Sequence, residues 1–248
     1  MNHDSYISAL RSDARRLAAC ATIDLDAPVP SCPDWTVRTL IEHTGGVHRW
    51  AANAIETATA PTTRPAGPGA DATSTEIETW LVEGADRLAD LLATSGSDEA
   101  TWHPFGLEPK TWVWARRQAH ETLVHRWDGE TAVGIEATID PIHAADAIHE
   151  YWELGAPRIL ARSDASVPEA SLHIHCTDDA LPDGAGEWLV WNEHGEYRME
   201  PVHRKGDAAL RGPAEQILLT LMGRSSRDGL DIVGDQAAAD AWLSIDGW

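Results

Sequence analysis

The apolar residues of this chain change their period partway along it, and that change most restricts its possible folds. Up to about residue 131 they recur at three- and four-residue intervals, the mark of helices that each bury one face. Residues 6–21 carry Ile7, Leu10, Ala14, Leu17 and Ala18 in this pattern, with Arg11, Asp13, Arg15 and Arg16 mostly between them. A Pro-rich connector at 27–33 precedes a second helix expected to open near Trp35-Thr36, after Asp34, and to run to about 59 on Val37, Leu40, Ile41, Val47 and Trp50. Residues 62–72 are rich in Pro, Gly and Thr and predict a loop. A third helix is expected over 74–93, on Ile77, Leu81, Leu88, Leu91 and Leu92, and an irregular stretch over 94–109. Residues 112–131 contain no Pro and, apart from Gly129, no Gly, and predict a fourth helix. Four amphipathic helices in succession predict a four-helix bundle.

Beyond this point the pattern shortens. Residues 142–162 predict one more helix, which links or opens a second domain. Short alternating runs at 170–176, 187–191, 196–199, 208–211 and 230–233 predict strands, with a hairpin turn at Asn192-Glu193-His194-Gly195. Helices are expected over 213–222, where Pro213 suits a first turn, and over 236–243. The expected fold class is therefore α+β: a helical bundle over 1–140 and a smaller α+β domain over 141–248.

The chemistry-bearing feature is Glu121 and His125 in the run His120-Glu121-Thr122-Leu123-Val124-His125-Arg126-Trp127-Asp128. Residues four apart on a helix lie about 40° from each other around its axis, so this carboxylate and imidazole share a face. Together they can hold one metal ion, and a third ligand from another helix leaves positions open for water or substrate. His43 is the best third candidate. The run imitates the His-Glu-x-x-His metalloprotease motif, but here the histidines are five apart and diverge by about 140°. The plainer reading of Glu121 and His125 is an ordinary surface pair at i,i+4 spacing.

Composition excludes some partners. The chain of 248 residues carries 40 acidic against 19 basic residues, a net charge of −21. That opposes binding to a phosphate backbone or to an anionic membrane surface. No apolar run approaches the ~20 residues that span a bilayer, and Met1-Asn2-His3-Asp4-Ser5 does not open a signal peptide. Cys20, Cys32 and Cys176 are odd in number and far apart, as expected of a reduced, cytoplasmic protein in which each is a small buried apolar residue.

Three patterns carry a family resemblance. The first is Val29-Pro30-Ser31-Cys32-Pro33-Asp34-Trp35-Thr36-Val37-Arg38-Thr39-Leu40-Ile41-Glu42-His43, followed by Val47-His48-Arg49-Trp50. The second is the run from His120 to Asp128. The third is Gly212-Pro213-Ala214-Glu215 through Leu221-Met222-Gly223-Arg224, then Val233-Gly234-Asp235. In this order they resemble the mycothiol-dependent maleylpyruvate isomerase family of DinB-like metalloenzymes, over nearly the whole chain. The resemblance implies a DinB-like four-helix bundle and a C-terminal α+β domain. It also implies a divalent ion, usually zinc, on His43, Glu121 and His125, and mycothiol as the thiol cofactor or co-substrate.

A thiol is mostly protonated at neutral pH, while its thiolate is the nucleophile. Activated thiolate can add to an unsaturated acid, allow rotation and leave, which isomerises it, or it can displace a leaving group, which is S-transfer. Arg224, in the family-like Gly-Arg ending, is the catalytic candidate that would fork onto a substrate or thiol carboxylate. A solvent-facing Arg at a helix end is the alternative. Two other functions compete: a zinc hydrolase on the same scaffold, with water as nucleophile, and a non-catalytic binding protein. His48 is expected off the site's face and Trp35 and Trp50 in the core. Asp128 is expected to be exposed or to orient a ligand His; His173 and His175 share one strand face, where a solvated position is expected and metal binding is the alternative.

Overall fold

The computed structural model describes residues 1–162 and 166–245 and divides into two compact units, Met1–Thr138 and Ile139–Trp248. The first contains four long helices: α1 (His3–Cys20), α2 (Val37–Thr57), α3 (Ser74–Ser95) and α4 (Thr111–Ala132). Each of the first three starts where a short polar side chain can accept an orphan backbone N–H. Asn2 accepts from Ser5, Thr36 from Thr39, and Thr73 with Glu76 forms a capping box. Helix α1 packs on α4 and α3, while α2 packs on α3 and α4, so the four close around a shared core.

That core has two clusters. One gathers Leu10, Ile55, Leu88, Leu92 and Trp114; the other Leu17, Leu40, Ile41, Ile77 and Leu81. Burying a side chain of this size stabilises by ~1.5–3 kcal/mol. Trp114 is fully buried against the rings of Trp50 and Phe105, and its Nε1 donates to the Trp102 carbonyl oxygen at 2.8 Å.

The fourth helix departs from the amphipathic expectation. It is buried on nearly every side, and many of its buried residues are polar or charged. Arg126 is fully enclosed, donating to Asp13 at 3.2 Å, to Glu130 at 2.9 Å and to the Thr138 carbonyl oxygen at 2.9 Å. Arg16 grips the same Glu130 carboxylate through two bonds of 2.7 and 2.9 Å. A helix surrounded by partners needs no single apolar stripe, because ion pairs and hydrogen bonds satisfy the polar groups it buries.

The second unit opens with α5 (Pro141–Glu150), capped by Asp140, and continues through a π-helical turn, Tyr151–Gly155, into α6 (Ala156–Arg162). A single regular helix was expected here. Pro157 supplies the reason for the wider turn: it has no N–H to donate, and its ring would strike the carbonyl one turn earlier.

Five strands follow: β1 (Leu172–Cys176), β2 (Glu187–Glu193), β3 (Glu196–Glu200), β4 (Ala208–Gly212) and β5 (Asp231–Gly234). They form one sheet in the order β3-β2-β1-β4-β5, with β1 parallel to β4 and every other pair antiparallel. The β2–β3 hairpin turns on His194 and Gly195, both at positive φ (57° and 88°), as a two-residue turn requires, and Asn192 accepts from the Gly195 N–H at 2.6 Å. Helices α7 (Ala214–Leu221) and α8 (Gln236–Leu243) complete the unit. Leu172, Ile174, Trp188 and Val190 are buried on one face of the sheet. This is the expected α+β class: a helical bundle followed by a smaller sheet domain.

Candidate metal centre

In the first unit, α2 and α4 bring together the three residues that sequence reasoning joined. One donor atom each from His43, Glu121 and His125 lies within 4.8 Å of the others. Both imidazole Nε2 atoms stand 3.4 Å from the same Glu121 oxygen, and the two rings lie edge to face at 5.2 Å. His125 is buried; His43 and Glu121 are half-buried, so the cluster has a buried floor and an open side.

Asp128 fixes the orientation of His125. Its carboxylate is fully buried, lies 3.1 Å from His125 Nδ1, and accepts the Ser31 hydroxyl at 2.5 Å. The reading of Asp128 as an exposed residue is therefore corrected: it sits three residues beyond His125, on the same side of α4. With Nδ1–H given to Asp128, the neutral ring turns its lone-pair nitrogen, Nε2, toward Glu121 and His43.

Electrostatics fit a cation. Burial alone would raise the pKa of Glu121, but Arg117, one turn back on α4, and the two histidines hold it well below the usual carboxylate range. Burial would lower the pKa of His125, yet hydrogen bonds to Asp128 and Glu121 outweigh it and push the value up to about 9. The arrangement thus favours positive charge between two carboxylates. A divalent ion there would displace the His125 proton. Two imidazoles and a carboxylate, one imidazole pinned by a second carboxylate, fit a transition-metal ion.

Other nearby residues escaped sequence reasoning. The half-buried Trp35 lies 4.8 Å from the His43 ring and 6.2 Å from that of His125, so it walls the site and does not merely fill core. Arg64 reaches from the loop after α2 to within 3.3 Å of His43 Nδ1. Gly45 and Gly46 let neighbours approach α2 next to His43. A Cβ at Gly45 would stand 2.3 Å from the Trp80 ring, and one at Gly46 would stand 2.9 Å from the Pro65 carbonyl oxygen.

His48 is buried, its Nε2 2.8 Å from the Thr122 hydroxyl, and burial pushes its pKa down to about 3. His120 turns away from the site toward the Tyr6 ring, as the five-residue spacing requires. Arg224 lies in the second unit just beyond α7, where its guanidinium donates to the Met222 carbonyl oxygen at 2.6 Å. Burial pushes the thiols of Cys20 and Cys176 up to about 11 and 12, which makes both poor nucleophiles.

The second unit holds a further cluster. His173, His175, Glu187 and His203 also bring one donor atom each within 4.8 Å of one another. The expectation of a solvated strand face is corrected at His173, which is buried, while His175 is half-buried. The loop after β3 adds His203 to a face that the two-residue alternation alone left open.

Fold and site together define a class: a helical bundle with an inward two-His, one-carboxylate cluster, joined to a mixed-sheet domain. The family models agree. The mycothiol maleylpyruvate isomerase N-terminal domain matches residues 8–129, and the C-terminal domain of the same family matches residues 142–241. The chain belongs to the mycothiol maleylpyruvate isomerase family.

Among relatives, an uncharacterized protein of Mycobacterium tuberculosis, recorded in two strains, is 31% identical over 151 residues, covering 58% of this chain and 74% of that protein. Crystal structures of the mycothiol-dependent maleylpyruvate isomerase and of a histidine-to-alanine variant share the fold, with TM-scores of 0.58 and 0.61. Each match covers 94% of this chain and 93% of the other, at 12% and 11% identity respectively. No helix among the described residues is long and apolar enough to cross a membrane.

Proposed function

We propose that this protein is a metal-dependent enzyme that uses a small thiol, mycothiol, to isomerise or S-conjugate a small electrophilic substrate bearing a carboxylate. The observation that carries this reading is the convergence of His43, Glu121 and His125 from two helices, with Asp128 orienting His125, in a chain of this family. These three residues would hold a divalent ion, most simply zinc, whose charge favours the thiolate form of a thiol brought beside it.

The chain's own residues do the rest. Asp128 keeps the His125 proton on Nδ1, away from the donor side of the ring. Arg117 keeps Glu121 ionised. Trp35 shields one side of the two imidazoles from water. Burial holds the Cys20 and Cys176 thiols protonated, Cys32 is half-buried with its Sγ 4.0 Å from Asp128, and the nucleophilic sulfur of this reading is that of mycothiol. Arg224 is the proposed carboxylate-binding group, since a guanidinium donates two parallel bonds to a carboxylate.

The test is turnover of electrophilic acids by the zinc-loaded protein with mycothiol, with a simpler thiol, and with none. Turnover that requires thiol and prefers mycothiol is expected. Equal turnover without thiol replaces this reading with the hydrolase one, in which water is the nucleophile.

A further inference from the structure

We infer that the sheet domain carries its own zinc site, formed by His173, His175, Glu187 and His203, which ties the loop after β3 to the sheet. The four residues come from three places in the chain. His173 and His175 are two apart on β1 and so project from one face. Glu187 stands directly opposite His175 in the β1–β2 register. His203 lies in the segment between β3 and β4.

All three imidazoles point a ring nitrogen at a single atom, Glu187 Oε2. The distances are 2.9 Å from His173 Nε2, 3.1 Å from His175 Nδ1 and 2.5 Å from His203 Nδ1. The rings stand nearly perpendicular to one another, at 72° to 90°, with centroids 5.4–6.1 Å apart. Three donors crowding one oxygen exceed what its two in-plane lone pairs serve well, whereas three nitrogens and an oxygen around one point make a tetrahedral N₃O set. Zinc–ligand distances near 2.1 Å separate tetrahedral ligand atoms by roughly 3.4 Å, so Glu187 Oε2 needs to part from each nitrogen by less than about 1 Å to admit the ion.

The site is held firmly on one side and open on the other. β1 is the central strand, bonded to β2 and β4, and the side chains of His173 and Glu187 are only 9% and 14% exposed. The His203 side chain is 75% exposed, which leaves a path for the ion. Its neighbour Arg204 pairs with Glu200 and lies over the Trp191 ring, which keeps the loop beside the sheet. Arg211, in register with His175 on β4, is exposed and stands opposite Asp231 on β5. Imidazole nitrogens favour zinc and its late transition-metal neighbours over magnesium or calcium. Four protein ligands leave no open position, which is the mark of a structural site and not a catalytic one.

The test uses the full chain with His43→Ala, so that the bundle site contributes no binding. Zinc is titrated by calorimetry, and thermal unfolding is followed with and without zinc. One saturable equivalent and a zinc-dependent rise in melting temperature are expected, and both should fall sharply in the added variants Glu187→Gln and His203→Ala. Because His203 is exposed, its variant folds whether or not the inference holds. No saturable zinc, or binding unchanged in both added variants, overturns it.

Discussion

Asp128→Asn tests how the bundle orients His125, the proposed metal ligand. Asp128 is fully buried and accepts from the His125 Nδ1–H, from the Ser31 hydroxyl and, at 4.0 Å, from the Cys32 thiol. Asparagine keeps the shape but offers one acceptor oxygen and a nitrogen that only donates. If that nitrogen faces His125, the ring must move its proton to Nε2, the atom aimed at Glu121, and then has no lone pair for a cation. Loss of such an orienting carboxylate costs roughly 10–100-fold in metal affinity, or about 1.4–2.8 kcal/mol. One opposing effect is built in. Without Asp128 the His125 pKa falls from about 9, so protons compete less with the metal, and the loss at neutral pH belongs toward the lower end of that range. The assay is competition for zinc against a chromogenic chelator in a His203→Ala background, alongside a thermal melt. A variant that melts like its parent yet binds zinc within about threefold of it would refute the orienting role.

Further expectations concern neighbouring residues. Arg64→Ala should bind zinc at least as tightly as the parent: a guanidinium beside His43 Nδ1 only donates, which forces the His43 proton onto Nε2, and weaker binding would contradict this. Gly45→Ala would place a Cβ 2.3 Å from a Trp80 ring that also carries Arg49 at 4.0 Å, so urea unfolding should show a loss of ~1–3 kcal/mol. Arg126→Met removes a buried charge that pairs with Asp13 and Glu130 and should cost ~3–5 kcal/mol in the same assay. The pKa of His48 is depressed by burial to about 3, below its ordinary 6.5, so the folded state takes up this proton less readily than the unfolded one. The associated stability is complete above about pH 6.5 and lost as pH falls toward about 3, and His48→Leu should show a shallower decline across that window.

Much of this was legible in the sequence because helical spacing is local. Glu121 and His125 share a face through the geometry of one helix, and the run over 112–131 without Pro, with Gly only at 129, marked that helix. What stayed hidden depends on contacts between distant segments. Asp128 looked exposed because nothing near it in sequence reveals that Ser31, 97 residues earlier, covers it. The fourth helix lacks an apolar stripe because its charges are satisfied by α1, as Arg126 is by Asp13 and Glu130 by Arg16. His173 and His175 signalled one strand face, but Glu187 and His203 reach that face only through sheet pairing and a returning loop. Pro157 lies within the single helix expected over 142–162, and its missing N–H is the local reason that the structure widens the preceding turn instead.

The most direct test of the central claim is zinc stoichiometry of the whole chain by native mass spectrometry, with the sheet cluster disabled by His173→Ala and His203→Ala. In that background one zinc per chain is predicted. It should be lost when His43→Ala, Glu121→Ala or His125→Ala is added and retained when His120→Ala is added, because His120 faces Tyr6. One zinc retained in all three ligand variants would contradict the assignment of His43, Glu121 and His125 as the metal centre.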